Sequence, residues 1–166
     1  MKKIGSRKYI NDCGEMSDVY MRIAEEDEKA ANILSQAGYY NQSVYYMIQS
    51  MEKYIKGLIC KKVNVMNGYF ETKLFKTGHS LDDSLDFLIE IMAGGDKLLE
   101  EHLKTQMKEE ILENVKYSKL YNEVRYPGYK RHNQRYSILE ISSKDYQEIH
   151  NTFSILKRFL DDLIRM

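Results

Sequence analysis

The segment Asn41–Cys60, NQSVYYMIQSMEKYIKGLIC, constrains the fold more than any other part of the chain. Val44, Ile48, Met51, Ile55 and Leu58 recur at alternating four- and three-residue steps, so on a helix they form a single apolar face. A second seam of this kind closes the sequence, where Tyr146, Ile149, Phe153, Leu156, Leu160 and Leu163 alternate three- and four-residue steps. Such a seam packs against neighbouring helices at a shallow angle, and Ser142 with Asp145 three residues on predicts a capping box at its start. Asp18–Gln36 reads as a further helix capped by Ser17, with Val19, Ile23, Ala30, Leu34 and Ala37 as a thin apolar face. His79-Ser80 opens a helix with the stripe Leu81, Leu85, Leu88, Ile89 and Met92, which Gly94-Gly95 stops. A long helix capped by Asp96 then carries Leu99, Leu103, Met107, Ile111 and Val115 and frays near Val124. Five helices, mostly short links and no convincing strand predict an all-α fold, an up-and-down bundle of about five helices.

The spans between these helices read as irregular. Residues 1–15 lack periodicity and are expected to be an N-terminal extension, leaving 16–166 as one bundle domain. Asn64–Gly78 reads as a loop punctuated by Gly68 and Gly78. Pro127, the only proline, marks a break, and the stretch from Gly128 to Ile141 is irregular with a short extended piece at Tyr136–Ile141.

Charge narrows the function. Lys and Arg number 25 and so do Asp and Glu, and a zero net charge disfavours a protein that coats nucleic acid through counterion release alone. No run reaches membrane-spanning length and no apolar stretch follows the basic start, so a cytoplasmic protein with no membrane contact is expected. Cys13 and Cys60 lack zinc-binding spacing, and Cys60 reads as a small buried apolar residue. A di-iron bundle needs Glu three residues before each ligating His; Leu99 and Gln147 stand there before His102 and His150, so no metal site and no cofactor is expected. His79 with Asp82 or Asp83 makes only a partial ligand set, and His79 reads as a helix cap.

Three landmarks remain, in order: Glu52, Lys53 and Lys56 in the second helix, His79-Ser80-Leu81 opening the third, and Arg125-Tyr126-Pro127 after the fourth. Together they resemble the HEPN family of small helical nucleotide-associated proteins, over roughly Ala24 to Leu163. The resemblance implies a homodimer that binds nucleotide or RNA, and Arg-Tyr-Pro is similar to the branch that partners a minimal nucleotidyltransferase in a toxin–antitoxin-like pair. It places Arg125 and Tyr126 at a nucleotide or phosphate; Lys130, Arg131 and Arg135 add positive charge beside them, and that clustering makes Lys130 and Arg131 candidate phosphate contacts in an anion-binding loop. Lys53 and Lys56 share one helix flank, where two ammonium groups either hold a phosphate or form a solvated edge that pairs with Glu52 or with a neighbouring helix.

Ribonucleases of the family carry an Arg-x4-6-His motif, and RYPGYKRH spans Arg125 to His132 with six residues between. In that chemistry an RNA 2′-hydroxyl attacks the adjacent phosphate without a metal. An imidazole moves the proton and a guanidinium stabilises the phosphoryl oxygens. Here Tyr126 replaces the polar residue such enzymes place after the arginine, and Pro127-Gly128 interrupts the helix. Three readings therefore stand: a binding module partnered with a nucleotidyltransferase, a metal-independent ribonuclease acting through Arg125 and His132, and a ligand-free helical adaptor.

Overall fold

The computed structural model describes residues 4–165, so Met1–Lys3 of the expected extension and Met166 at the end of the expected domain lie outside it. Seven α-helices and one two-stranded hairpin follow in order. They are α1 (Cys13–Gln36), α2 (Tyr40–Lys62), α3 (Gly68–Lys76), α4 (Leu81–Ala93), α5 (Lys97–Lys104), α6 (Tyr117–Glu123), β1 (Gly128–Lys130), β2 (Arg135–Ser137) and α7 (Ser143–Arg165). A π-helical stretch, Thr105–Ile111, continues α5. The all-α class holds broadly, while the count of about five helices does not.

The bundle is built around α2. Val44, Ile48, Met51, Ile55 and Leu58 are all buried, as their spacing predicts, and so is nearly every other residue from Ser43 to Cys60. A helix buried on so many faces must be covered from several sides. α1 covers one side and runs antiparallel to α2, since the Ser17 hydroxyl donates to the Gly57 carbonyl at 2.9 Å while the Ser43 hydroxyl meets the Ala31 carbonyl at the other end. α7 covers another side and runs parallel to α2, with the Tyr54 hydroxyl donating to Asp161 and the Lys62 ammonium to the Ile164 carbonyl. α4 closes the core with Leu81, Leu85, Leu88 and Ile89 fully buried.

The first helix corrects two expectations. It begins at Cys13, inside the stretch expected to be irregular, because the Asp12 carboxylate accepts from the Glu15 amide at 2.8 Å and supplies the N-cap. Ser17 is not the cap. It lies on the face that α1 turns to α2, with Ala24 and Ala31, whereas Val19, Ile23, Ala30 and Leu34 stay half-buried and Ala37 is exposed. Small residues win the inner face because the two backbones approach closely: a Cβ on Gly57 would stand 2.9 Å from the Met21 methyl.

Three further differences have local causes. The span expected to be a loop contains α3, capped by the Asn67 side chain, yet α3 buries none of its residues. The long fourth helix is split. In its π-helical part the Leu112 amide reaches back five residues to the Met107 carbonyl at 3.0 Å, and Glu113 and Asn114 then take positive φ of 49° and 58°. The wider turn rotates the face, so Leu112 is buried, Ile111 is half-buried and Val115 is exposed. The stretch after Pro127 folds back as an antiparallel hairpin, Gly128 opposite Ser137 and Lys130 opposite Arg135. The capping box holds: the Asp145 amide donates to the Ser142 hydroxyl at 3.2 Å, and Asp145 accepts from the Ser142 amide at 2.8 Å.

Cys60 is buried, and burial first, then the Cys13 thiol, pushes its own thiol up to about 12. Burial raises the phenols of Tyr54 and Tyr117 well above their usual 10.0, and at Tyr54 the hydrogen bond to Asp161 adds to it. The two phenols hold their protons more tightly folded than unfolded, so their stabilisation is complete below pH 10 and is lost as pH rises through the folded values. At about pH 11 the folded protein is expected to show less tyrosinate absorbance than the same chain in denaturant, and to unfold more readily than at neutral pH. Equal tyrosinate absorbance in the two states would show these phenols to be solvated. Among the described residues no helix is long and apolar enough to cross a membrane.

Candidate functional site

The site forms where α6 ends against α2. α6 has no capping side chain of its own, and Asp82 on α4 accepts from the Ser118 amide at 2.8 Å to satisfy one of its first N–H groups. Tyr121 and Arg125 are four residues apart and so meet on one side of this short helical turn. The Arg125 guanidinium carbon lies 4.2 Å from the ring centroid of Tyr121, 4.8 Å from that of Tyr126 and 5.3 Å from that of Tyr45 on α2. Tyr45 and Tyr121 stack with centroids 5.1 Å apart. A cation over ring faces is held by their quadrupoles and not neutralised.

The charge on Arg125 is otherwise little engaged. Its Nη2 donates to Asn122 Oδ1 at 3.3 Å, out of the five N–H donors a guanidinium offers. No carboxylate lies within ion-pair distance of it among the described residues. Partial burial, then a hydrogen bond with Tyr45, pushes the Tyr121 phenol up to about 12, although Arg125 acts in the opposite sense. The Tyr121 phenol therefore stays neutral at physiological pH, and the exposed guanidinium can take an anionic group from solvent in charge-assisted bonds.

The hairpin continues this exposed edge. Lys130, Arg131, His132 and Arg135 are all exposed, as is Tyr126. His132 sits in the turn between β1 and β2. Three strand residues at about 3.3 Å each carry that turn roughly 10 Å beyond Gly128. Arg125 and Tyr126 thus follow α6, while Lys130 ends β1 and Arg131 and His132 lie in the hairpin turn.

Lys53 and Lys56 do not join them. Lys53 pairs with Asp27 of α1 and donates to Gln49 Oε1 at 3.2 Å. Lys56 is only 6 % exposed; it donates to Glu52 Oε1 at 2.7 Å and to the Gly78 carbonyl. An ammonium taken out of water needs anionic or carbonyl partners, and here both lysines have them. They also lie about 12 and 16 Å along α2 from Tyr45, at 1.5 Å per residue. The other end of this network is Glu52, 2 % exposed, which also accepts from Gln49 Nε2 at 3.1 Å and stands 3.9 Å from Nδ1 of the exposed His79. Two of the three sequence landmarks thus meet, as a fastening between α2 and the start of α4. His79 is not the cap of α4; the Ser80 hydroxyl is, accepting from the Asp83 amide at 3.1 Å.

Sequence reasoning missed the cage. Tyr121 was readable as the residue one helical turn before Arg125, but Tyr45 comes from another helix 80 positions away along the chain. Nothing in its neighbourhood on α2 distinguishes it from the adjacent Tyr46.

An exposed, aromatic-seated cation at one helix end of a small helical bundle is suited to meeting an anionic group. The model of the HEPN domain matches residues 17–163, nearly the whole chain, and the chain belongs to the HEPN domain family. That membership supports a nucleotide- or RNA-related module. Comparison with curated proteins and with solved structures gave no match.

Proposed function

We propose that the protein binds nucleotide or RNA through Arg125, with Tyr126, Lys130 and Arg131 beside it, and works in the cytoplasm as the homodimeric partner of a minimal nucleotidyltransferase in a toxin–antitoxin-like pair. The bundle of residues 16–166 is its working unit. The observation that carries this reading is the Arg125 guanidinium, fixed on three tyrosine rings and facing solvent with one side-chain hydrogen bond. A structural arginine normally ends on a carboxylate or a helix-end carbonyl. This one is oriented and left available, which is what recognition of a phosphate requires. The outer face of α1, where Val19, Ile23, Ala30 and Leu34 are half-buried and Ile33 is exposed, supports a two-fold partner.

A second reading is a metal-independent ribonuclease, favoured by the exposure of His132 at the tip of a projection that a second copy of the chain can approach. One set of measurements separates the two. For a binding module, Arg125→Ala weakens nucleotide or RNA binding about tenfold or more, His132→Ala changes little, and no cleavage appears. For a ribonuclease, cleavage persists in EDTA and leaves 2′,3′-cyclic phosphate ends, and His132→Ala abolishes it while retaining much of the affinity. Binding by Arg125→Ala at wild-type strength would take the site away from Arg125 and defeat both readings as placed here, and wild type that binds neither nucleotide nor RNA would leave the helical adaptor.

A further inference from the structure

The hairpin carries a pair of groups that the Arg125 site does not use. Tyr129 on β1 sits directly opposite Tyr136 on β2, so both rings leave the same face of the ribbon, with centroids 5.1 Å apart. They remain 52 % and 73 % exposed. Large aromatic rings this open contribute little by burial, and a two-stranded ribbon is itself marginally stable in water. The next pair in register sets Lys130 opposite Arg135, and like charges directly opposed destabilise a ribbon. Folding explains neither feature.

Charge says what would cover them. From Val124 to Leu139 the sequence holds Arg125, Lys130, Arg131 and Arg135, together with His132, and no Asp or Glu. The whole chain is balanced at 25 and 25, so this segment at +4 stands against a remainder at −4. None of the four cations is in an ion pair among the described residues. The occupant is therefore anionic and offers flat surfaces. Paired bases hide theirs, and unpaired bases do not.

We infer that this hairpin is a stacking platform for single-stranded nucleic acid. Bases lie on Tyr129 and Tyr136, while Lys130, Arg131 and Arg135 reach round the thin ribbon to the phosphates and Arg125 holds a phosphate at its base. The inference rests on the nucleotide- or RNA-binding reading and extends it from one phosphate to a short run of nucleotides. RNA and DNA single strands share this chemistry, so the experiment includes both.

The full chain is titrated into a labelled oligo(U) of about 12 nucleotides, a matching oligo(dT), a duplex of the same length, and AMP. Single strands, oligo(U) and oligo(dT) alike, are expected to bind more tightly than the duplex. Tyr129→Ser/Tyr136→Ser should weaken oligo(U) binding about tenfold or more, and Tyr129→Phe/Tyr136→Phe should restore it, because stacking needs the ring and not the hydroxyl. Lys130→Ala/Arg135→Ala should flatten the salt dependence. AMP binding should depend on Arg125 and not on the tyrosine pair. Circular dichroism checks folding; if the double serine variant unfolds, Tyr136→Ser alone, at the more open ring, carries the test. Unchanged oligo(U) affinity in the folded serine variant overturns the platform, as does preference for the duplex. So does a serine variant that loses self-association in sedimentation while keeping its RNA affinity, which would make the patch a protein interface. Wild type that binds AMP but no oligonucleotide sinks the platform and leaves the Arg125 reading standing. Wild type that binds neither sinks both.

Discussion

Phe153→Ala is expected to lower the stability of the protein by about 3–5 kcal/mol, out of the roughly 5–15 kcal/mol typical of a domain. Phe153 is buried mid-seam on α7, and its ring packs on that of Tyr117 with centroids 4.8 Å apart. Removing the ring takes apolar surface out of the core and leaves a void that the surrounding helices fill only in part. The void is not isolated. Phe153 lines a small cleft between α1, α2 and α7 together with His150, whose buried Nδ1 has no hydrogen-bond partner among the described residues. Water admitted by the smaller side chain can reach that nitrogen, which favours the lower end of the range. In thermal unfolding the shift should be about 10 °C. Ile155→Ala, two positions away on the open side of α7, should cost less than about 1 kcal/mol. Equal effects at the two positions would mean that the seam has been assigned to the wrong face.

The contrast between α7 and α1 shows what the sequence can and cannot disclose. On α7 the core face is chosen by large apolar side chains, and of the six their spacing names, Tyr146, Phe153, Leu156 and Leu160 are buried and Ile149 and Leu163 half-buried. On α1 the core face is chosen by how closely two backbones approach, and Ser17, Ala24 and Ala31 carry no hydrophobic signal strong enough to outvote Val19 and Ile23. The π-helical turn after α5 is similarly silent: one extra residue per turn changes which side chain points inward, and no residue type announces it. α3 has nine residues, none of them buried, so neither length nor periodicity lifted it above its flanking glycines. At the site, Arg125 was legible because its neighbours in sequence are also its neighbours in charge. The tyrosine cage was not, since one of its three rings is a long-range contact, and the hairpin turn hides behind Gln134, which adopts φ of 49° without being a glycine. Lys53 and Lys56 were misleading for a related reason. Pairing with Glu52 or with a neighbouring helix was open from the sequence, but nothing there singles out Asp27 on α1 or the Gly78 carbonyl as the partner.

Lys56→Met should destabilise the protein by about 3–5 kcal/mol, more than its single lost ion pair suggests. Lys56 and Glu52 are four residues apart on α2 and both are buried. Methionine matches the length of the lysine stem, so little packing volume is lost. What changes is that the Glu52 carboxyl is left in the core with only Gln49 at 3.1 Å and the distant, exposed His79 to answer it, while the Gly78 carbonyl at the approach to α4 loses its donor. An uncompensated buried carboxylate is the dominant cost. Glu52→Leu/Lys56→Met removes both charges, and its stability should return most of the way to wild type, giving a coupling of about 2–3 kcal/mol in a double-mutant cycle. The second consequence is positional: Lys56 ties α2 to the residue before His79, so amide exchange should speed up around Gly78–Ser80 in Lys56→Met and stay fast in the double variant, where the carbonyl is still without its donor. RNA or nucleotide affinity should change little in either protein, because Arg125 is seated on Tyr45, Tyr121 and Tyr126 and not on this network. A folded Lys56→Met protein with wild-type stability and selectively weakened phosphate binding would reverse the assignment, moving Lys56 from the fastening of α4 into the ligand site.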